Sequence, residues 1–283
     1  MKKILTIDWN SKNANTEFVE SLSSTGFAVI YNHGIDIDLI SSTYSDWKKF
    51  FSSKEKLNYI FDYYKQDGYF PFKSENAQGH TTKDLKEFFH IYSWGRYPKE
   101  MPDNTKLIHK ELLSLGSDLL DCLDDYAPES VRAKFSIKLS KMIENSGQNL
   151  LRIIHYPPLT KKDTVDGALR AEAHTDINLI TILIAEPGLQ VLSSSGDWID
   201  VELAKNSIVV NIGDMLQKCS GGFYKSTVHR VVNPDLSINK SRYSMPLFIH
   251  PRDDVKLTSN LTSKQYLDTV SYTHLTLPTI YSV

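Results

Sequence analysis

Apolar positions along the first half of the chain recur at helical spacing. A short strand-like "ILTIDW" opens it, and Phe18, Val19 and Leu22 then mark one face of a helix between Asn15 and Ser24. "GFAVIYNHGI" reads as a strand closed by a turn, and Ile40, Tyr44, Trp47 and Phe51 line one side of a longer helix. Ser53, Lys54 and Glu55 start a further short helix, whereas "KQDGYFPFKSENAQGH", rich in Gly, Pro and Asn, reads as loop. Two more helices are expected across 106–126 and 130–145. From Asn149 the period changes. "NLLRIIHY", "NLITILIA", "LQVL", "WIDV", "SIVVNIG", "STVHRVVN" and "RYSMPLFIH" are short β-branched or aromatic runs between Gly, Pro, Asn, Asp and Ser clusters. That texture predicts a barrel or jelly roll, so the chain is expected to be mainly β with flanking helices.

Composition narrows the function. With 283 residues, 41% of them hydrophobic, the chain can bury one large core or two modest ones. Its net charge of -2, without long runs of one sign, argues against nucleic-acid and membrane partners and for a small-molecule substrate. A monomer is expected. Cys122 and Cys219 are too few for a disulfide framework or a thiolate zinc site and fit a reducing compartment. "MKKILTIDWNSK" lacks a signal peptide's apolar region, and no run is long enough for a spanning helix, so a cytoplasmic location is expected.

The chemistry concentrates in "AEAHTDINLITIL". A strand alternates its side chains, so His174 and Asp176 would share a face and could reach one ion. An HxD arises by chance in about every second chain of this composition, so the pair alone is no site. His229 in "STVHRVVN" would complete two histidines and one carboxylate, the facial triad of non-haem iron(II) oxygenases. Arg242 and Ser244 in "RYSMPLF" repeat the i, i+2 spacing, and a guanidinium fork beside a hydroxyl suits the far end of a dicarboxylic acid. Tyr156 in "RIIHYPPL" could add a phenolic hydroxyl or could simply pack.

Together "RIIHYPPL", "HTDINLITIL", "GLQVL", "WIDV", "SIVVNIGDMLQKCSGGFYKSTVHRVVNP" and "RYSMPLFIHPR" resemble the isopenicillin N synthase-like family of iron(II)- and 2-oxoglutarate-dependent dioxygenases. "GFAVIYNHGI" and "DLKEFF" extend the resemblance into the first half. It implies a double-stranded β-helix, or jelly roll, over 141–255. The N-terminal region 1–140 would supply helices and part of the substrate pocket, and 256–283 a C-terminal segment. By position, His174, Asp176 and His229 would bind iron. Arg242 and Ser244 would hold the C5 carboxylate of 2-oxoglutarate, with Tyr156 and Asn178 lining the same pocket. Asn211, Gly213, Asp214 and Cys219 are expected to be structural, as are His33, His80, His90 and His155. The implied reaction consumes dioxygen and 2-oxoglutarate, releases succinate and carbon dioxide, and oxidises a small molecule, most commonly by hydroxylation. Two alternatives stay open at this point: an oxidase of the same fold that does not use 2-oxoglutarate, and a non-catalytic jelly-roll binding protein.

"SKQYLDT" starts like an amphipathic helix, and "VSYTHLTLPTIYSV" then abandons the helical period and introduces a proline. "VSYTHL" is similar to the translated end of a sequencing-library transposon, so residues from about Val270 onward are expected to be adapter read-through replacing a native helix. Amplifying the gene from intact source DNA should give different codons there; finding the same codons would overturn that expectation.

Overall fold

The computed structural model describes residues 3–75, 82–163 and 167–274. Strand β1 (Thr6–Asp8) leads to helix α1 (Ala14–Thr25), which buries Phe18 and Leu22 as their spacing requires. The helix stops at Gly26, whose φ of 76° lets its N–H reach the Leu22 carbonyl, and β2 (Phe27–Tyr31) follows. Helix α2 (Ile37–Ser52) is capped by Asp36, whose carboxylate accepts the Asp38 N–H at 2.8 Å. After a 3₁₀ turn at Glu55–Tyr59 come β3 (Gly68–Phe70) and β4 (Glu87–Ile91). The stretch read as loop therefore contains a strand. At three residues β3 is too short to show alternation, and it is held by pairing Tyr69 with Phe89 and Phe70 with Phe88.

Helix α3 (Asn104–Asp125) lies where its pattern predicts, but the single helix expected at 130–145 is two pieces, α4 (Glu129–Arg132) and α5 (Leu139–Ile143). Tertiary bonds win over local propensity here: the Leu139 N–H is taken by the Asp124 carboxylate at 2.8 Å, and Ser136 donates to the Lys256 carbonyl. The β-rich half supplies β5 (Leu150–Tyr156), β6 (Ala171–His174), β7 (Ile180–Ala185), β8 (Leu189–Leu192), β9 (Trp198–Asp200) and β10 (Ile208–Ile212). Helix α6 (Asp214–Cys219), β11 (His229–Val231), β12 (Arg242–Ile249), the small pair β13 (Lys256–Thr258) and β14 (Leu261–Thr262), and α7 (Ser263–His274) complete the chain. Helix α7 runs past Val270, where the apolar pattern had ended. Helical hydrogen bonding propagates without an apolar stripe once a turn is nucleated. Residues 275–283 of the suspect tail lie outside the described residues.

The strands form an eight-stranded sheet, ordered β1-β2-β10-β7-β12-β5-β4-β3, and a four-stranded sheet, β6-β11-β8-β9. These two sheets are the jelly roll. The first half does not fold apart from it: β2 pairs with β10 and β4 with β5, so N-terminal strands extend both sides of the larger sheet. That sheet is buried on both faces, which explains the unbroken run "ITILIA". Its outer face, including Ile182, Met245, Leu247 and Ile249, packs beneath α3 and its Ile108, Leu112 and Leu119. Its inner face, including Phe27, Val209, Ile154, Tyr156 and Phe88, meets Ala171, Leu189, Val191 and Val231 of the smaller sheet.

Gly26 is where the first helix is locked to this core. A Cβ there would lie 2.4 Å from the Lys225 carbonyl oxygen as well as requiring the left-handed conformation. Gly26→Ala should therefore destabilise the protein by at least about 2 kcal/mol in urea unfolding, and an unchanged midpoint would contradict this packing.

Candidate metal centre

His174 ends β6 and His229 begins β11, and the antiparallel register sets them directly opposite each other. Their rings lie 4.4 Å apart. Asp176 arrives differently from the expected strand alternation, because β6 stops at His174 and the aspartate sits in the turn beyond it. The turn is held by the Asp214 N–H, which donates to the Asp176 carbonyl at 2.7 Å. Gly213 permits this approach, since a Cβ at that position would lie 2.2 Å from the Asn178 carbonyl oxygen. The three ligand atoms all fall within 4.8 Å of one another.

Each imidazole Nε2 stands 3.9 Å from Asp176 Oδ1, beyond hydrogen-bond reach. Three polar groups thus converge without bonding to each other. Every other polar atom on them is engaged. His174 Nδ1 meets the Glu172 carbonyl at 2.7 Å, and His229 Nδ1 the Thr227 carbonyl at 3.2 Å. A carbonyl only accepts, so each Nδ1 carries a proton, and in the neutral ring it is then Nε2 that presents a lone pair. Asp176 Oδ2 accepts from the Thr181 hydroxyl at 2.6 Å and the Asn211 amide at 2.8 Å, which leaves Oδ1 free to turn toward the imidazoles.

Burial, followed by the neighbouring His229, pushes the His174 pKa down to about 4. Burial would raise the Asp176 carboxyl, but His229, His174 and the two hydrogen bonds outweigh it and hold it below the usual carboxylate range. At neutral pH the donor set is therefore a neutral His174 beside a carboxylate. Two imidazole nitrogens and one carboxylate on one side of a point suit iron(II), with positions left over for further ligands.

Farther along the inner face of the larger sheet, β12 carries Arg242 and Ser244, and β5 carries Tyr156 opposite Arg242. All three are buried. The Arg242 guanidinium lies over the Tyr156 ring at 4.9 Å. Its Nε donates to the Pro187 carbonyl at 2.9 Å and its Nη2 to the Glu186 carbonyl at 2.7 Å. Its Nη1 is buried with no partner among the described residues. Arg170, a second guanidinium 5.8 Å from the same ring, escaped the sequence reading because it sits outside any recognisable spacing. Asn178 is not brought to this group: fully buried, it donates to the Ile180 carbonyl at 2.7 Å and to Thr181 at 3.1 Å, behind the aspartate.

The remaining singled-out residues are tied into the scaffold. Asp214 accepts from Tyr266 at 3.0 Å, Cys219 is buried, and His33 contacts the Asn206 carbonyl at 3.0 Å. His155 faces outward from β5, contacts Glu87 at 2.7 Å and stacks on Tyr243. His80 lies outside the described residues. Thr181, five residues past Asp176 in the next strand, is a supporting residue that the sequence reading missed.

Residues 147–251 match the 2OG-Fe(II) oxygenase superfamily, and residues 6–113 match the N-terminal region described as non-haem dioxygenase in morphine synthesis. A flavanone 3-dioxygenase from rice is 30% identical over 250 residues, covering 82% of this chain and 68% of that one. The 2-oxoglutarate-dependent dioxygenase citB of Monascus ruber is 29% identical over 264 residues, covering 83% and 78%. Among solved structures, a candidate oxygenase from Shewanella oneidensis is 44% identical with a TM-score of 0.87, covering 95% of this chain and 98% of that one. A full-length Neurospora crassa protein solved in complex with alpha-KG and thymine shares the fold, at 22% identity and a TM-score of 0.78 over 95% and 97% of the two chains.

The chain belongs to the 2OG-Fe(II) oxygenase superfamily. It is an iron- and 2-oxoglutarate-dependent dioxygenase with dioxygen as co-substrate, and the His-Asp-His cluster is its iron-binding triad. Neither the oxidase nor the non-catalytic alternative finds support in these matches. Among the described residues no helix is long and apolar enough to cross a membrane.

The two bonds to Asp176 Oδ2 make a prediction. Thr181→Val keeps the shape and removes one of them, and iron(II) affinity should fall about ten- to a hundredfold in a competition titration against a chromophoric chelator. Unchanged affinity would show that the aspartate needs no such support.

Proposed function

We propose that this dioxygenase hydroxylates a small organic molecule, with 2-oxoglutarate held between the metal and Arg242. The observation that carries the reading is the buried, unpartnered Nη1 of Arg242. Leaving a buried charged donor unpaired costs about 1–3 kcal/mol or more, and an incoming carboxylate removes that penalty. The Pro187 and Glu186 carbonyls hold the other guanidinium edge, so the free edge is oriented in advance. Ser244 lies two residues along the same strand face, placed to donate to the same carboxylate, and the Tyr156 ring supports the guanidinium.

Iron(II), when bound, lets dioxygen oxidise 2-oxoglutarate to succinate and carbon dioxide and supplies the oxidising power for a substrate C–H bond. The protein's own part is positional. His174, Asp176 and His229 would hold one side of the ion, and the larger sheet carries Arg242 on the face that braces Asp176. The apolar inner face, with Phe27 edge-on to His229 at 5.4 Å, lines one side of the reacting groups. The names of relatives, flavanone 3-dioxygenase in rice and flavonol synthase/flavanone 3-hydroxylase in Arabidopsis, support a small-molecule substrate and hydroxylation as the outcome. The net charge of -2 agrees with a small partner rather than a polyanion.

Anaerobic addition of 2-oxoglutarate to the iron(II) protein should produce the visible charge-transfer band of a chelated keto acid. Arg242→Ala should raise the 2-oxoglutarate concentration needed for that band at least about thirtyfold, equivalent to about 2 kcal/mol. An identical titration in the variant would remove Arg242 from the clamp, and iron binding without any band would overturn the cosubstrate site.

A further inference from the structure

A second set of charges faces the jelly-roll interior beside the iron site. Alternation turns Phe88 and His90 of β4 inward together with Lys86 just before it, and turns Arg152, Ile154 and Tyr156 of β5 to the same side. Lys86 Nζ bonds Asp84 at 2.8 Å and Glu75 at 2.8 Å, and Arg152 reaches Glu75 through Nη1 at 3.3 Å and Nη2 at 3.4 Å. Asp84 also accepts the N–H of Glu172 at 3.1 Å, two residues before the iron ligand His174, which fixes the cluster against β6. Arg152 Nε donates to His90 Nε2 at 2.8 Å, and its guanidinium lies over Phe88 at 4.5 Å. Phe88 in turn stacks on Phe70.

The members are not equally fixed. Side-chain exposure is 4% for Asp84, 7% for Lys86, 17% for Arg152 and 34% for Glu75. Glu75 is thus the outermost; its pair with Lys86 at 2.8 Å is well formed, but its bonds to Arg152 are longer than the roughly 2.7–2.9 Å of such a charge-assisted pair. His90 receives no proton, because burial and then Arg152 hold its pKa well below the usual histidine value. Among the described members of this cluster, two carboxylates, Asp84 and Glu75, balance two cations, Lys86 and Arg152, while Glu75 is in place. With Glu75 turned out to solvent, one positive charge is left facing the interior, enough for one anion.

We propose that Arg152, backed by Lys86, is the recognition site for a substrate carboxylate, and that the Glu75 carboxylate occupies it until the substrate displaces it. The substrate class is then a small organic acid with one carboxylate at this end. This rests on the iron and 2-oxoglutarate reading of the neighbouring site.

The test uses zinc-substituted full-length protein saturated with 2-oxoglutarate, which cannot turn over, and matched probes: formate, acetate and benzoate against formamide, acetamide and benzamide. Calorimetry should show at least one acid binding ten times or more tighter than its amide. Glu75→Gln should tighten that acid at least threefold by removing the competing charge, and Arg152→Met should weaken it at least tenfold. Acids that bind no better than amides, or fail to bind at all, overturn the proposal. So does a Glu75→Gln protein whose acid affinity is unchanged or weaker, even if Arg152→Met does not fold. Failure of the underlying reading shows separately, as iron(II) protein that gives no charge-transfer band with 2-oxoglutarate.

Discussion

The site depends on a buried carboxylate that must stay ionised and point one way. A charge such as Asp176 is costly away from water unless it is bonded, and here Thr181 and Asn211 take Oδ2 while Oδ1 faces two imidazoles. Those imidazoles are fixed in turn by backbone carbonyls, each of which places a proton on Nδ1, so that the neutral ring offers Nε2. The supports come from different strands: Thr181 from β7, Asn211 from β10, and the histidines from β6 and β11 of the other sheet. The metal centre is therefore a joint between the two sheets of the jelly roll, and the apolar packing that presses those sheets together also sets the ligand spacing.

The inner face of the larger sheet extends this logic along the interior. Asn211 and Thr181 occupy the row that braces the aspartate, and Arg242 and Tyr156 lie paired at the far end of β12 and β5. Strand register thus fixes where Arg242 lies along this face relative to the residues that brace the aspartate. The N-terminal strands β3 and β4 then add Phe70, Phe88 and His90 to the same face, which is why the first half cannot be separated from the second. Rigid strands suit this task better than loops, because each residue's partner and facing direction are settled by hydrogen bonding across the whole sheet.

Much of this was legible in the sequence because strand physics is local. The β-branched runs after Asn149 became strands, the helix at Phe18 to Leu22 formed as its period required, and His174, Asp176 and His229 converged. Where the reading failed, the deciding interaction came from far along the chain. The helix expected at 130–145 broke because Asp124 and Lys256 took its backbone and side-chain groups. Gly68–Phe70 became a strand only because β4 offered an edge. Asp176 joins the two histidines from the segment after β6, held by Asp214, and not by strand alternation. The pairing of Arg152 with Glu75 links residues whose separation gives no spacing to notice; a lone arginine inside the apolar run "NLLRIIHY" was the available signal.

The central claim is that one ion is held by two imidazole nitrogens and a single aspartate oxygen whose partner oxygen is already spent. X-ray absorption at the iron edge of the anaerobic iron(II) protein tests it most directly. The account predicts a first shell of nitrogen and oxygen ligands that includes two imidazoles and one monodentate carboxylate. A sulfur ligand, a third imidazole, or an aspartate bound through both oxygens would contradict it.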